Sequence, residues 1–595
     1  MNRDDEKKYT SEIKRLMGHG EQLRAYDLCC QALEEFPDAT SIKHLACLAL
    51  ARSGATSQAL EVYNSLALNQ ESENEDVMAL KGRLEKDHAL SREDIKERAQ
   101  HFSLAAETYH KIYKKTGGYY PAINAATCFF LAGKTSKSEP LAKEILELLG
   151  AASTAEQGDA YYREATRAEA HLLLAEFEKA REVLKFSKGF IGQDYASVSS
   201  TKKQLKLICP VEHWQVLDEL ENPKTLHYSG HMISSDGRFT FAEEESIRTQ
   251  IESALDDNQV GFAFGSLACG ADLLFAEALL KRKARLEVFL PFNLDEFIAT
   301  SVAPAGASWV ERFQSVLASA DQLSYATEDQ YLGDDSLFNY CSQLAMGQAI
   351  LRSEFLETSA IQIAVWDGAA PGGVAGTARD LHRWAQLKRP QIIIKTQSFI
   401  EPKSDFFKNP LPVPVVEEKD SRVLKAILFG DVKGFSKLKE AQIPLFVDKI
   451  LGEFAKVFER FEGKVDFVNT WGDGLFVVLP NVSIAAELAL ELQVGLKKFF
   501  ESNDDFTDNA LRLGAHYGPV IQKFDPILKK NNYFGVHISR AARVEPVTPV
   551  GEVYATWPFA SEISLLTKKD FKVSYVGHLP AAKSYGRLKM YLLGH

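Results

Sequence analysis

The sequence predicts a multidomain protein that joins an all-α helical-repeat region, an α/β region with a doubly wound parallel sheet, and an α+β domain. Three observations support this division. Residues 1–205 carry one helical pattern after another, residues 222–397 alternate short apolar strands with amphipathic helices, and strands and helices mix over 423–595. A proline-rich stretch at 398–422 is predicted to be a stiff, exposed linker. A chain of 595 residues is also too long for one core.

Composition excludes several classes of protein. The net charge of -12 argues against a nucleic-acid or anionic-membrane binder. No apolar run approaches the ~20 residues that span a bilayer, and no apolar segment follows the charged first residues. We therefore expect a cytoplasmic protein without a membrane span. The seven cysteines show no CxxC pair, so we expect them to be buried, reduced thiols.

The helical region contains an internal repeat. Ala25, in AYDLCCQALEEFP, recurs as Ala59, in ALEVYNSLAL, 34 residues later, which indicates tetratricopeptide-like helical hairpins. Such stacks leave a concave surface for a protein partner, although a plain helical spacer is the alternative. The segments 119–127 and 163–174 resemble the helical TRAF-binding domain, which implies a sensor or scaffold.

The α/β region places glycine-rich turns after three of its predicted strands. Each turn lies where a strand ends and a helix begins, the usual position of phosphate or nucleotide in such sheets. The region resembles the SLOG-type Rossmann-like domains, which implies a nucleotide-derived ligand. The residues to which this expectation carries over are Gly265, Ser266, Gly270, Gly373, Gly376 and Thr377.

Two other interpretations of this region stay open. The glycines alone would serve tight strand-to-helix packing. Alternatively the domain is itself an enzyme that cleaves a nucleotide-linked bond, with Asp272, Glu277 and Asp367 as available carboxylates, although each also suits a helix cap or the surface.

The α+β domain carries two aspartates in matching places. Asp431 follows the apolar run 423–429, and Asp473 lies in the turn of the next predicted strand pair. Two carboxylates on neighbouring strand ends can bridge two divalent ions, a common way to bind a nucleoside triphosphate. Alone, Asp473 would suit a hairpin tip and Asp431 a helix N-cap.

Several spaced motifs make the resemblance of 423–595 specific. Phe429-x-Asp431-x-x-Gly434-Phe435-Ser436, Gly472-Asp473 and Gly535-x-x-x-Ser539-Arg540-Ala541-Ala542-Arg543 occur in the order found in class III nucleotide cyclase catalytic domains. The resemblance implies a ferredoxin-like α+β fold. It also implies conversion of a nucleoside triphosphate to a 3′,5′-cyclic nucleotide and pyrophosphate.

The resemblance assigns roles to individual residues. Asp431 and Asp473 are implied to bind two Mg²⁺ or Mn²⁺ ions per site, while Arg543 stabilises charge on the α-phosphate and Ser539 stands at the ribose-orienting position. The turn 432–436 is implied to present backbone N–H groups to the phosphates at a helix N-terminus. The expected substrate contacts are Val432, Gly434, Phe435, Ser436, Asn469, Asn532 and Lys583, of which Lys583 equally suits a surface lysine.

Departures from the family pattern leave open which base of the nucleoside triphosphate is selected. Asn469 replaces the adenine-selecting lysine, Asn532 replaces its aspartate partner, and Ser539 replaces the usual asparagine. ATP is favoured by the family's base rate, with GTP or a pyrimidine triphosphate as alternatives, and a degenerate nucleotide-binding scaffold as another.

The family builds each active site from two protomers. The metal-binding aspartates come from one protomer and the arginine helix from its partner. Because this chain has Asp431, Asp473 and Arg543 together, a symmetric homodimer with two sites is predicted.

Overall fold

A computed structural model gives the structure of the chain. It describes residues 3–595 except 19–21, 53–55, 71–72, 91, 93, 151, 153–158, 191, 193, 412–421, 436–437, 502–509, 569 and 581–586. The chain divides into two compact units, of which the first comprises residues 1–222, 355–357 and 575–579. The second comprises residues 223–354, 358–574 and 580–595.

The first unit is helical, as predicted. Small side chains such as Ala105, Ala106 and Ala125 are buried where the helices cross, and this allows close helix–helix packing. Asp94 caps one helix by accepting hydrogen bonds from the N–H groups of the first turn, and Gly117 ends it with a φ of 71°. The helices are α1 (Arg3–Gly18), α2 (Gln22–Glu35), α3 (Thr40–Arg52), α4 (Thr56–Ser65), α5 (Glu75–Leu90), α6 (Ile95–Thr116), α7 (Tyr119–Leu131), α8 (Thr135–Leu149), α9 (Ala160–Leu173), α10 (Phe177–Ser187) and α11 (Tyr195–Lys206), followed by a 3₁₀ segment (Val211–Leu220).

The predicted α/β region forms a parallel sheet in the second unit. Its strands are β1 (Lys224–Gly230), β2 (Val260–Gly265), β3 (Arg285–Leu290), β4 (Gln322–Tyr325), β5 (Ala360–Trp366) and β6 (Gln391–Lys395). The strand order is β4-β3-β2-β1-β5-β6 and every neighbouring pair is parallel, which confirms the doubly wound expectation. The order changes direction between β1 and β5, so ligands are expected at the carboxyl ends of these strands.

Helices cover both faces of this sheet. They are α12 (Glu244–Asp257), α13 (Ala271–Lys281), α14 (Leu294–Phe297), α15 (Ala307–Ser319), α16 (Ser336–Phe355) and α17 (Thr377–Gln386). α13 and α17 begin directly after the glycine-rich turns, as the sequence predicted.

The linker prediction is wrong for the part of 398–422 that precedes residue 410. The rings of Phe399, Phe406 and Phe407 pack around Trp366 at the end of β5, with a centroid distance of 5.3 Å for Phe406. The backbone carbonyl of Asn409 also accepts a hydrogen bond from His382 at 2.8 Å. Residues 412–421 lie outside the described residues.

Apart from residues 575–579, the C-terminal domain also belongs to the second unit, and it is an α+β fold. Its strands are β7 (Val423–Lys433), β8 (Phe467–Trp471), β9 (Gly474–Leu479), β10 (Ala510–Asp525), β11 (Lys530–Phe534), β12 (Val553–Thr556), β13 (Lys572–Pro580) and β14 (Arg587–Gly594). Its helices are α18 (Ile443–Phe446), which continues through a π-helical turn (Val447–Leu451) into α19 (Gly452–Glu459), then α20 (Val482–Glu501), α21 (Val536–Ala541) and α22 (Trp557–Ser564).

Two faces of this sheet have different neighbours. The strands lie in the order β14-β12-β10-β7-β9-β8, and β11 pairs with the far end of β10. Along β7, Leu428 and Val432 join the core beneath α20, whereas Ile427 and Phe429 pack with α21. Because side chains alternate along a strand, Asp431 lies on the face that carries α21.

Six of the seven cysteines are buried as predicted, and Cys30 is exposed. Within the described residues, no helix is both long enough and apolar enough to cross a membrane.

Candidate active site

The two predicted metal-binding aspartates face each other. Asp431 lies near the end of the central strand β7, and Asp473 lies in the tight turn between β8 and β9, where Gly472 has a φ of 65°. Burial and the neighbouring Asp431 carboxyl, which is hydrogen-bonded to it, raise the pKa of Asp473 to about 6. Two like charges this close favour a bound cation.

An arginine that the sequence analysis missed lies between this pair and a third carboxylate. Arg512, on β10 directly opposite Asp431 in the ladder, donates to the Asp431 carboxylate at 2.8 Å and pairs with Glu545. Burial raises the pKa of Glu545 against the opposing influence of Arg512. The strand register could have predicted Arg512, because a residue facing Asp431 across the ladder must share its face.

The carboxylates of Asp431 and Asp473 fit a divalent ion that is held jointly with a substrate. Within the described residues no group of three or more His, Cys, Asp or Glu side chains could hold a metal ion. Mg²⁺ is commonly bound by one or two carboxylates together with substrate phosphates, and Asp431 with Asp473 provides that number.

The turn after Asp431 differs from the expectation of an immediate helix. β7 continues to Lys433 and the Val432 side chain is fully buried, so that side chain cannot contact a substrate. The chain turns at Gly434, with a φ of 95°, and the long helical run begins only at Ile443. A helix N-terminus at Val432 or Lys433 is therefore wrong, because pairing with β10 holds these two residues in a strand.

Phe435 packs beside the turn that carries Asp473. Its ring lies beside Gly472, where an added Cβ would be 3.6 Å from it, and packs on Phe446 at 4.8 Å between centroids. Phe435 thus positions the turn that carries Asp473. Ser436 and Lys583 lie outside the described residues.

The two asparagines at the predicted base positions have different surroundings. Asn469 is half-buried on β8 on the same face as Phe467, the face of Asp431 and α21. Asn532, on β11, donates its amide to Asp525 at 3.0 Å and accepts from the Tyr533 N–H at 2.8 Å. Its hydrogen-bonding groups are thus already engaged within the hairpin.

A buried pair of histidines anchors the helix that carries Ser539. His537 of α21 is hydrogen-bonded to His516 of β10 at 2.8 Å, and His516 is hydrogen-bonded to Thr556 at 2.7 Å. Burial lowers the pKa of both imidazoles well below the usual value, so both are neutral at pH 7. Ser539 is exposed on α21, and Arg543 follows its last turn.

A second candidate site lies at the carboxyl ends of β1 and β5, as the sheet order predicts. Its cavity of about 360 Å³ is lined by four of the predicted residues, Ser266, Gly373, Gly376 and Thr377. Gly265 and Gly270 do not line it, which corrects the prediction for both. A Cβ on Gly265 would meet the Tyr228 ring at 2.6 Å, and Gly270, at a φ of 102°, lies against the backbone of residues 231–233.

Two buried carboxyls form the floor of this cavity. Asp272 and Asp380 lie in the first turns of α13 and α17, and burial raises the pKa of each to about 7. The hydroxyls of Ser229 and Ser342 face Asp380. Asp380 was missed, although its place one turn after Thr377 in a glycine-rich motif could have indicated it.

The other carboxylates of the enzymatic interpretation have structural partners. Glu277 binds both Arg312 and Arg248, and Asp367 accepts from His231 at 3.0 Å and from the Ala369 N–H at 3.1 Å.

Comparisons with known proteins match two separate parts of the chain. Residues 24–129 match the Tetratricopeptide Repeats-Sensor family model, and residues 417–595 match the model of the Adenylate and Guanylate cyclase catalytic domain. Two curated relatives are an adenylate cyclase of Neurospora crassa, 24% identical over 23% of this chain, and one of Mycosarcoma maydis, 26% identical over 16%. The chain spans only 7% and 4% of their lengths.

Among solved structures, the adenylyl cyclase CyaB from P. aeruginosa is 16% identical. The match covers 30% of this chain and 97% of that one, with a TM-score of 0.26. The two family matches assign residues 417–595 to the adenylate and guanylate cyclase catalytic domain and residues 24–129 to a tetratricopeptide sensor region.

Proposed function

We propose that the chain is a metal-dependent nucleotidyl cyclase whose preferred substrate is ATP. The observation that carries the proposal is the pair Asp431 and Asp473, held face to face beside Arg512 on the sheet face that carries α21. ATP is supported by both curated relatives, which are named adenylate cyclases.

The chain's own residues have distinct tasks in this reaction. Asp431 and Asp473 would hold Mg²⁺ or Mn²⁺ ions, which when bound lower the pKa of the ribose 3′-hydroxyl and neutralise phosphate charge. Arg512, already at 2.8 Å from Asp431, orients that carboxylate. Arg543 offers a planar set of donors to the α-phosphate as charge develops there, and Ser539 positions the ribose.

The proposed enzyme is a homodimer. The β10–β11 hairpin supports this, because its tip exposes large apolar side chains that water does not favour. Ile527 is 87% exposed and Phe524 59% exposed, and Leu528 and Phe534 lie beside them. A second copy is the occupant that the two-protomer active site requires.

Product analysis tests the activity directly. The full chain is incubated with each of the four ribonucleoside triphosphates and Mg²⁺ or Mn²⁺, and products are identified by mass spectrometry. We expect 3′,5′-cyclic AMP and pyrophosphate, with loss of at least 100-fold in Asp431→Asn, Asp473→Asn and Arg543→Ala. Asp448→Asn, an exposed carboxylate of the same domain, is the matched control. Triphosphate binding without product would favour the scaffold alternative.

Mixing inactive variants tests the shared site. A heterodimer of Asp431→Asn and Arg543→Ala protomers would keep one intact site out of two. Because half of a randomised mixture is heterodimeric, about one quarter of wild-type activity should return. No recovery after subunit exchange would contradict the two-protomer arrangement.

A further inference from the structure

We propose that a nucleoside 5′-phosphate binds the cavity at the ends of β1 and β5, and that α16 transmits its binding to the cyclase domain. The inference rests on the proposed function only through the triphosphate used in the linkage test, and hydrogen exchange gives a readout that does not need that triphosphate.

The cavity has the three kinds of surface that a nucleoside 5′-phosphate needs, namely donors for the phosphate, acceptors for the ribose hydroxyls and an apolar wall for the base. Gly376 and Thr377 form the N-terminus of the ten-residue helix α17, where backbone N–H groups favour a phosphate. Asp272 and Asp380 face the interior as acceptors for ribose hydroxyls. Phe297 and Phe338 add apolar wall for a base.

An unpartnered buried atom indicates that the floor is built for a ligand. Asp272 is only 7% exposed, and its Oδ2 accepts from the Ala268 N–H at 3.3 Å. Its Oδ1 is buried and no described residue makes a well-aligned hydrogen bond to it, although the Gly230 N–H lies close enough to lower the pKa of this carboxyl. A buried acceptor without a donor is unfavourable by about 1–3 kcal/mol, and a ligand hydroxyl would relieve this.

A second cavity continues from the first around the start of α17. It shares Gly376 and Thr377 with the first, and it adds the half-exposed Arg238, whose guanidinium lies 3.5 Å from the Asp367 carboxylate. A cationic side chain beside a helix N-terminus strengthens the assignment of the phosphate to this end.

α16 forms one wall of this cavity and also packs against the catalytic domain. Cys341 and Ser342 line the cavity. One residue before them, Tyr340 donates its hydroxyl to the Tyr517 carbonyl of β10 at 2.9 Å. β10 is the strand that carries Arg512 and His516.

Further along α16 the contact with the catalytic domain is close. Gln348 donates to the Ser561 hydroxyl of α22 at 2.9 Å and accepts from Lys589 of β14 at 3.1 Å. A Cβ on Gly347 would lie 2.5 Å from Ser561, so the two helices nearly touch there. Packing this close allows a displacement of the helix to be passed on to the elements that it contacts.

The loop before α16 holds the start of the catalytic strand. Arg422, which immediately precedes β7, donates to both oxygens of Asp334, at 2.7 and 3.2 Å. Asp335, the next residue, lines the cavity. A ligand that shifts the start of α16 would therefore act on β7, which carries Asp431, and on β10.

Equilibrium linkage tests the inference without turnover. The affinity of the full chain for AMP is measured by calorimetry with and without saturating 2′,3′-dideoxy-ATP and Mg²⁺, which cannot cyclise. We expect the AMP affinity to change at least fivefold, because coupled sites influence each other reciprocally. Inorganic phosphate and ribose 5-phosphate are the smaller probes and should bind more weakly than AMP.

Two variants separate binding from transmission. Gly373→Leu projects into the cavity, and its Cβ meets no atom within 4 Å, so the chain should fold and lose AMP binding at least tenfold. Tyr340→Phe should keep AMP binding but reduce the linkage factor about fivefold, the change expected for one hydrogen bond. Tyr325→Phe on the edge strand β4 is the matched control.

The outcomes distinguish this inference from the proposed function. Absent cyclic product with AMP linkage intact would refute the cyclase and leave the coupling standing. If dideoxy-ATP does not bind, hydrogen exchange decides, because AMP should then slow exchange in both α16 and β10. The inference is overturned if none of the three probes binds, if Gly373→Leu binds AMP like the wild type, if AMP changes neither affinity nor exchange beyond its own domain, or if Tyr340→Phe keeps the full linkage.

Discussion

Gly518→Ala is expected to disrupt the anchoring of α21 by a single methyl group. Gly518 lies on β10 under the His537 ring, and an added Cβ would be 2.7 Å from its Cγ and 2.8 Å from its Cε1. Ordinary contact begins at 3.4 Å. The ring must therefore move by close to 1 Å, and its hydrogen bond to His516 would break.

The magnitude follows from these contacts. Overpacking a filled core is unfavourable by about 1–3 kcal/mol, and a broken buried hydrogen bond adds about 1–3 kcal/mol. A total near 4 kcal/mol corresponds to a drop in melting temperature of about 10 °C for the catalytic domain. Since α21 carries Ser539, a displacement of about 1 Å should also reduce kcat roughly 100-fold.

Differential scanning fluorimetry and initial-rate assays of the full chain measure both effects. Gly452→Ala is the control, because it begins α19 with no atom within 4 Å of its Cβ and should be neutral or stabilising by up to ~1 kcal/mol. The double variant Gly518→Ala/His537→Ala should be less destabilised than the sum of the single changes, since the clashing ring is gone. A Gly518→Ala protein that melts within 2 °C of wild type, roughly 0.5 kcal/mol, with full activity would refute the reasoning.

Three further results are expected. Glu562→Gln should stabilise the second unit by about 3 kcal/mol at pH 8 and by nothing near pH 4. Burial raises the pKa of Glu562 in the folded protein to about 7, whereas the unfolded group titrates near 4.5, so ionisation destabilises the fold only when the pH rises above about 4.5. Melting curves across pH check this, and equal shifts at pH 4 and pH 8 would contradict it. Removing divalent ions with EDTA should abolish cyclic-nucleotide formation, and added Mg²⁺ or Mn²⁺ should restore it, whereas full activity in EDTA would exclude the two-aspartate metal site. Asn469→Ala should change the ratio of kcat/KM between ATP and the other triphosphates about tenfold. Asn532→Ala should change this ratio much less, because the Asn532 amide already donates a hydrogen bond to Asp525. Competition assays with mixed triphosphates check this, and a larger effect of Asn532→Ala would contradict it.

Much of the fold was predictable because the apolar runs are short and well separated. All six strands of the parallel sheet follow from segments such as 260–266 and 361–368, since buried parallel strands need nearly continuous apolar sequence. The linker prediction failed at Phe399, Phe406 and Phe407. Prolines and charges suggested exposure there, whereas the three aromatic rings pack on Trp366.

The candidate sites were predictable only in part. Asp431 and Asp473 stand in local motifs, so their places could be inferred from the chain alone. Arg512 acquires its role from the β7–β10 register, which a single sequence does not contain, whereas the glycine-rich motif before Asp380 could have indicated that residue. The same holds for Asn532 as for Arg512, since its partner Asp525 is set by the β10–β11 pairing.

The near-contact of Gly347 with Ser561 has a consequence for how such chains recombine during evolution. A cyclase domain moved to another protein without its α/β neighbour would leave Leu565 and the Trp557 ring in water, because both are covered by the neighbouring domain. In this chain the two domains should therefore be moved to another protein as one piece, with the fusion point near residue 223 rather than near residue 423.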